Sequence, residues 1–541
     1  GVIEIPEREW PPGVREATTF GMACPQSSSA LARGRPQWSE DCLTINLWVP
    51  RPTPSAPLPV LVVIHGGGFF VNAGDGAILD GTNLAKRGII VVTFNYRLGV
   101  FGFFAHPTLS KESATHVSGN YGLMDQIAAL HWVHDNISAF GGDPRNVTIT
   151  GGSAGGSSVL YLMVSPLAKG LFARGIAESA ASVYGPLGHR TERRYGIEPR
   201  EAQGLQLGDD IAALRAMPAR ELKERAALET NVAFGDGPNY WPMVDGAVLP
   251  DEPWALFDSG KFARVPLLIG TAADEGTIFA LGNPIKTRDA WANHLARRHP
   301  GAESEVQAAY MPADSDLFPV VARWVNDWTF HGTARAVARA VAARDVPVFL
   351  FNFSRALPYH PPIEAARGRN LGASHSSETM YTFGNFVPPF ATVVNDTDRA
   401  LSTTMMNAWL QSIRTGDPNV VGLPRWPRYA KSSDQHMDFG DEIRVGTGLH
   451  SASLDAVRWA RECVERGAGE LLVTSIDRDG ARTGYDLELT ATIADVVDVP
   501  VGARPSSGRR LQYPCVAISS AMVSSLPRTR KSAATTDPSP H

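Results

Sequence analysis

Hydrophobic positions along the chain follow two rhythms. Short unbroken apolar runs, PVLVVIH around Val60 to Ile64 and GIIVVTFNYR around Ile89 to Val92, end in polar or glycine-rich loops. From Tyr121 to about Ile137 the spacing changes, and Leu123, Ile127, Leu130 and Val133 recur at helical intervals. NVTIT follows, then VPLLIGTAADEG and VPVFLFNFS. Strands buried on both faces read as continuous apolar runs, and their alternation with helices predicts an α/β fold on a largely parallel sheet. Sites in such sheets form beyond the C-terminal ends of the strands. Between Ala180 and Gly237 the chain turns charged and irregular, which predicts insertions that shape a substrate pocket above the core.

Composition narrows the possibilities. The 541 residues exceed one ordinary domain, although a large α/β core with insertions can use this length. With 43% hydrophobic and 19% charged residues, there is ample material for a core. A net charge of -5 gives no electrostatic reason to expect nucleic acid or an anionic membrane as partner. The apolar runs fall far short of the roughly 18 residues of a membrane span. The chain opens on Gly1 with no signal segment. Four cysteines exclude a disulfide scaffold. Cys24 and Cys42 flank one polar loop, and either close it in an oxidising compartment or remain free thiols.

Candidate chemistry begins at NVTITGGSAGGSS, where a β-branched strand breaks into glycines around Ser153 and an apolar helix follows. Gly151, Ser153 and Gly155 fit G-x-S-x-G, which holds a nucleophilic serine on a sharp strand-to-helix turn. With 51 glycines in the chain, one such match is what composition alone supplies, so its company decides. The phosphate-binding P-loop and the dinucleotide fingerprint are both out of register. Upstream, IHGGGF sets His65, Gly66, Gly67, Gly68 and Phe69 directly after a buried strand, where consecutive glycines let backbone N–H groups face a developing oxyanion. A serine needs a base, and the base an orienting carboxylate, in the chain order Ser, acid, His for this arrangement. Glu275 in GTAADEG and His375 in GASHSSETMYTFGN supply that order. This chemistry needs no cofactor and no metal.

SEDCLTINLWVP, HGGGF, NYRLGVFGF, GNYGLMDQ, ALHWVHDNISAFGGDPRNVTITGGSAGGSS, GTAADEGTIF, HSSETMYTFGN and RTGDPN with LPRWPRY together resemble, in order, the type B carboxylesterase or cholinesterase-like family over about residues 10 to 440. The resemblance implies an α/β-hydrolase fold with a large, mostly parallel central sheet flanked by helices. It implies a triad of Ser153, Glu275 and His375, with Gly67, Gly68 and Ala154 as oxyanion donors. It makes Cys24 and Cys42 the family's first disulfide, which favours an extracellular or periplasmic location. Arg97 in NYRLG and Asp143 in GGDP resemble a structural ion pair, and Glu378 is the nearest rival carboxylate to Glu275. Departures matter too. Gly152 replaces the glutamate that precedes the serine in many members, Trp38 is out of register with a choline-binding tryptophan, and the family's N-terminal hairpin is missing before Glu7.

The implied activity is hydrolysis of small-molecule carboxylic esters with short to medium acyl chains through an acyl-enzyme. The alternative is a non-catalytic cholinesterase-like binding or adhesion module, a class that usually lacks the serine. The esterase pattern is expected over residues 1–450. Residues 451–503, SLDAVRWARECVERGAGELLVTSIDRDG onward, resemble part of the cyclase subunit of imidazole glycerol phosphate synthase, a TIM barrel, with Asp479 matching its catalytic aspartate. A barrel needs eight strands and this stretch offers about two, so no cyclase activity is expected. Residues 504–541, rich in Ser, Pro, Arg and Thr, read as a disordered tail.

Overall fold

The computed structural model describes residues 17–26, 38–52, 55–181, 183, 185–226, 240–299, 301–312, 315–356, 369, 371–388, 390–447, 471–473 and 501–503. Glu7, Asp479 and the tail from 504 lie outside them. The chain divides into two units, Gly1–Val445 and Gly446–His541.

Nine strands form the main sheet: β1 (Ile45–Trp48), β2 (Leu58–Ile64), β3 (Ile90–Phe94), β4 (Gly142–Gly152), β5 (Arg174–Glu178), β6 (Leu267–Ala272), β7 (Val348–Phe353), β8 (Gln435–Phe439) and β9 (Ile443–Thr447). Their order is β1-β3-β2-β4-β5-β6-β7-β8-β9. All pairs from β3 to β8 are parallel, and β1 runs antiparallel along β3. The chain lays β3 on one side of β2 and β4 on the other, so growth of the sheet reverses there. A crevice opens at such a switch point, outside the C-terminal strand ends.

The unbroken apolar runs follow from burial of both faces. Val60, Val62 and Ile64 of β2 point into one core, together with Leu123, Ile127, Leu130 and Val133 of the helix Tyr121–Asn136. Leu61 and Val63 point into the opposite core, beneath Leu401, Met405, Trp409 and Ile413 of the helix Asp396–Thr415. Alternate residues of one strand thus serve two layers, as the strand period of two requires. The helical reading of Tyr121 to about Ile137 and the central strands agree with the structure; the edge strand β1 and the short strands β5, β8 and β9 go beyond it.

Cys24 and Cys42 are joined across 18 positions and are buried. The Asn95 amide donates to the Cys42 carbonyl at 3.0 Å, which fastens this loop to the end of β3. Closing a loop of this length is worth about 3 kcal/mol in the chain-entropy account. Among the described residues no helix is long and apolar enough to cross a membrane. In the second unit the described residues are two three-residue strands, β10 (Leu471–Val473) and β11 (Val501–Ala503), paired in parallel.

One expected contact is corrected. Arg97 pairs with Asp125 and not with Asp143: its Nε and Nη2 donate to the two carboxylate oxygens at 2.8 and 2.7 Å, and its backbone N–H donates to Oδ2 at 3.0 Å. Asp125 is buried on the helix Tyr121–Asn136, one turn in, and meets the chain leaving β3. Asp143 lies at the start of β4, where its Oδ1 accepts the Arg145 backbone N–H at 2.9 Å, a local bond of the kind Asp makes two residues along its own chain. Asp125→Ala should therefore cost about 3 kcal/mol by leaving a largely buried guanidinium unpaired, and Asp143→Ala less than about 1 kcal/mol. Urea denaturation midpoints of the two variants test this, and equal losses would return Asp143 to the structural role.

Candidate active site

Ser153 directly follows β4 and caps the helix Ala154–Val164, every residue of which is buried. Its backbone is left-handed, φ 59° and ψ -125°, a conformation costly for any residue with a Cβ. Bonds on both sides hold it. The Ser153 N–H donates to the Glu178 carbonyl at 3.0 Å, and the Ser153 carbonyl accepts from the Ser157 N–H at 2.9 Å. Gly155 lets the turn close, since a Cβ there would stand 2.1 Å from the Ile64 carbonyl oxygen of β2.

Glu275 follows β6, and His375 lies in the loop between β7 and the short helix Glu378–Phe383. The two loops are stitched together. Asp274 N–H donates to the Ala373 carbonyl and Ala373 N–H to Asp274 Oδ2, both at 2.9 Å, while the Thr277 hydroxyl donates to the Leu371 carbonyl at 2.8 Å. His375 Nδ1 bonds Glu275 Oε2, and His375 Nε2 meets Ser153 Oγ at 2.8 Å. Glu275 is fully buried, and its other oxygen accepts from the Ala272 N–H at 2.7 Å. Phe279 and Phe330, which no local pattern singled out, stand with ring centroids 5.2 and 4.7 Å from the imidazole. They shield this side of the base from water.

The loop after β2 faces the same point. Gly67 adopts φ 108°, open only to glycine, and among the described residues the N–H groups of Gly67 and Gly68 donate to no protein acceptor. Ala154 is the first helical residue, where N–H groups lack an intrahelical partner. His65 anchors the loop as a neutral ring. Burial pushes its pKa down to about 4, its Nδ1–H donates to the Gly66 carbonyl at 2.9 Å, and it stacks on Tyr96 at 4.3 Å. Trp241 anchors the far end, its indole N–H donating to the Gly68 carbonyl while its ring meets Phe69 edge-on. Nothing in the local sequence marks Trp241, because its partner lies in a glycine loop 173 positions away.

Glu378 is close by but differently engaged. It is fully buried, and its Oε1 accepts from the Ser179 hydroxyl at 2.6 Å. Burial first, then the charges of Glu275 and Glu178, raises its pKa well above the usual carboxylate range. Glu178 is pushed up to about 7, mainly by burial, against the pull of hydrogen bonds from the Trp409 indole and the Thr382 and Thr379 hydroxyls. A Cβ at Gly152 would stand 3.3 and 3.8 Å from the Thr379 and Ser376 hydroxyl oxygens. Trp38 pairs by a backbone bridge with Ala23 and lies under the Lys223 ammonium, at the disulfide loop. Among the described residues no group of three or more His, Cys, Asp or Glu side chains is placed to hold a metal ion.

Comparison with known proteins adds a separate line. The profile described as "Carboxylesterase family" matches residues 4–457, and one described as "Histidine biosynthesis protein" matches residues 425–508. The chain is 35% identical over 456 residues to fumonisin B1 esterase of Sphingopyxis macrogoltabida, covering 82% of this chain and 81% of that one. It is also 35% identical over 449 residues to para-nitrobenzyl esterase of Bacillus subtilis, covering 80% and 86%. A solved structure titled PNB esterase superposes with a TM-score of 0.66 at 34% identity, covering 79% of this chain and 86% of that one.

The raised Glu178 carboxyl has a consequence for stability. A group whose folded pKa lies above its unfolded value stabilises fully below the unfolded pKa and loses that contribution as pH rises through the folded one. For Glu178 the window runs from the ordinary carboxylate range to about 7. Glu178→Gln should thus gain in Tm relative to the parent as pH rises from 5 to 8. A Tm difference that stays constant over that interval would contradict the assignment.

Proposed function

The chain belongs to the carboxylesterase family and is a carboxylic ester hydrolase, and from that premise we propose that Ser153, His375 and Glu275 carry the reaction. Ser153 Oγ attacks the ester carbonyl carbon while His375 Nε2 takes the hydroxyl proton. The carbonyl oxygen becomes an oxyanion facing the N–H groups of Gly67, Gly68 and Ala154. As the tetrahedral adduct collapses, the bond to the alkoxy oxygen breaks and the imidazolium returns its proton to the leaving alcohol. Water, activated by the same imidazole, then cleaves the acyl-serine and releases a carboxylic acid. Glu275 fixes the ring and stabilises its positive form, with its second oxygen occupied by the Ala272 N–H.

What carries this reading is the continuous line of hydrogen bonds from Ser153 Oγ through His375 to a buried carboxylate. The proposed substrates are small-molecule esters with short to medium acyl chains. Relatives named for fumonisin B1 and for para-nitrobenzyl esters favour a small-molecule ester and leave the acyl group open. Gly152 in place of a carboxylate removes the charge that would favour a cationic alcohol group. Residues 451–503 are proposed to take no part in the chemistry.

The test is chromophore release from short and long acyl esters. Ser153→Ala should lower kcat by roughly 10⁵-fold with the fold intact, while Asp479→Asn should leave it unchanged. Turnover by a folded Ser153→Ala protein comparable with the parent's would remove Ser153 from the mechanism.

A further inference from the structure

The acid Glu275 reaches His375 from a short loop, and a separate element grips that loop from behind. A π-helical turn, Asn326–His331, interrupts what is otherwise a helical stretch from Phe318 to Ala342. Such turns push side chains out of the regular helical register and recur at functional sites. Here Asn326, Phe330 and His331 are all buried. The Asn326 amide is used at both ends: its Oδ1 accepts the Gly276 N–H, and its Nδ2 donates to the Ala273 carbonyl at 3.0 Å. These two backbone groups lie on either side of Glu275. His331 Nε2–H donates to the Ala272 carbonyl at 3.0 Å, and the Ala272 N–H in turn donates to Glu275 Oε1 at 2.7 Å. From the same turn Phe330 packs against the His375 ring.

We propose that Asn326 is a positioning residue for ester hydrolysis, its amide fork fixing the backbone on both sides of Glu275 so that the carboxylate stays on His375 Nδ1. The proposal rests on the triad reading above. Its physical basis is reach. The stitches to the His375 loop hold Asp274, Ala373 and Thr277, but among the described residues the Ala273 carbonyl and the Gly276 N–H meet side-chain partners only in Asn326. Without the fork, the Glu275–Gly276 peptide loses the partner of its N–H, and the Ala273–Asp274 peptide is held from one side alone, by the Asp274 N–H bond to the Ala373 carbonyl. A carboxylate displaced by about 1 Å still lies near the imidazole but no longer orients it, and misplacement on that scale costs on the order of 10²-fold in rate. The fork grips the loop from the π-helical turn and touches neither Ser153 nor the glycine loop, so the expected loss falls on kcat.

The test uses the full chain with Asn326→Ala and Asn326→Leu, the second keeping the branched heavy-atom framework while abolishing the fork. Active serines are counted by exhaustive labelling with a fluorophosphonate, and kcat per labelled site, KM and the labelling rate constant are measured. In both variants kcat and the labelling rate should fall together by about 10- to 100-fold while KM stays within about twofold. A folded Asn326→Leu protein with the parent's per-site kcat and labelling rate would overturn the proposal and assign any loss in Asn326→Ala to packing. Ser153→Ala, run alongside, separates the two readings. If it is inert while the Asn326 variants match the parent, the fork fails and the triad stands; if it is active, the triad itself fails.

Discussion

The left-handed backbone at Ser153 is the constraint from which the site is built. A side chain at φ 59° costs about 1–3 kcal/mol, and the residue adopts it only because the surroundings leave no alternative. β4 lies between β2 and β5 in parallel register, so the position of Ser153 along the sheet is set by two neighbours at once. The Glu178 carbonyl at the end of β5 receives the Ser153 N–H, and the following helix is buried along its whole length. The turn closes only where Gly155 presses against the Ile64 carbonyl. The apolar content of the core is thus converted into the placement of one hydroxyl, and the strain is held by packing that has no direct part in the chemistry.

Placing the serine would be idle without two further loops, and those are tied to each other more than to Ser153. The reciprocal bonds between Asp274 and Ala373 make the Glu275 and His375 segments one structural piece despite 100 positions between the two side chains. Electrostatics add a second condition. Glu178, Asp274, Glu275 and Glu378 are all close to the imidazole loop, and four negative charges there would repel strongly. Burial answers this by pushing Glu378 well up, Glu178 to about 7 and Asp274 to about 6. Near neutral pH Glu378 keeps its proton and Glu178 titrates, which eases the crowding, while Glu275 keeps hydrogen-bond donors on both oxygens.

What the sequence made legible follows the range of the interactions. The buried strands β2, β3 and β4 could be read because both of their faces are apolar, Ser153 and Glu275 because each sits in a glycine-rich or polar segment just past an apolar run, and His375 because it sits in a polar loop before an aromatic stretch. β5 is a five-residue RGIAE and β1 a half-buried INLW, too short for periodicity to separate from loop. The partner of Arg97 differs from the expected one because Asp143, at the start of β4, turns to Arg145, while Asp125 reaches Arg97 from a helix. Periodicity gave no signal for it: Asp125 is two residues from both Leu123 and Ile127, which puts it on the far side of the helix from their apolar stripe, where it is buried against the chain leaving β3. Asn326 offered no signal either. Its bonds span about fifty positions, and an Asn flanked by Val325 and Asp327 looks like any other until the π turn aims it inward.

The two family resemblances overlap over residues 425–457, and hydrogen bonding shows which structure those residues serve. Met437, Asp438 and Phe439 of β8 pair with Phe351, Asn352 and Phe353 of β7, and β9 lies next in the same sheet. Trp426 is buried in the core beneath the helix Asp396–Thr415, and its indole N–H donates to the Leu350 carbonyl of β7 at 3.0 Å. The overlap therefore belongs structurally to the esterase sheet as far as β9. Beyond it, among the described residues, β10 and β11 make a parallel pair three residues long. Parallel strands are stable where both faces are covered, and a barrel draws its site from loops at the ends of several strands. The first unit meets both conditions for its own sheet, with cores on two faces and the loops after β2, β4, β6 and β7 converging on Ser153. That convergence is why the proposed chemistry is assigned to the residues before 450.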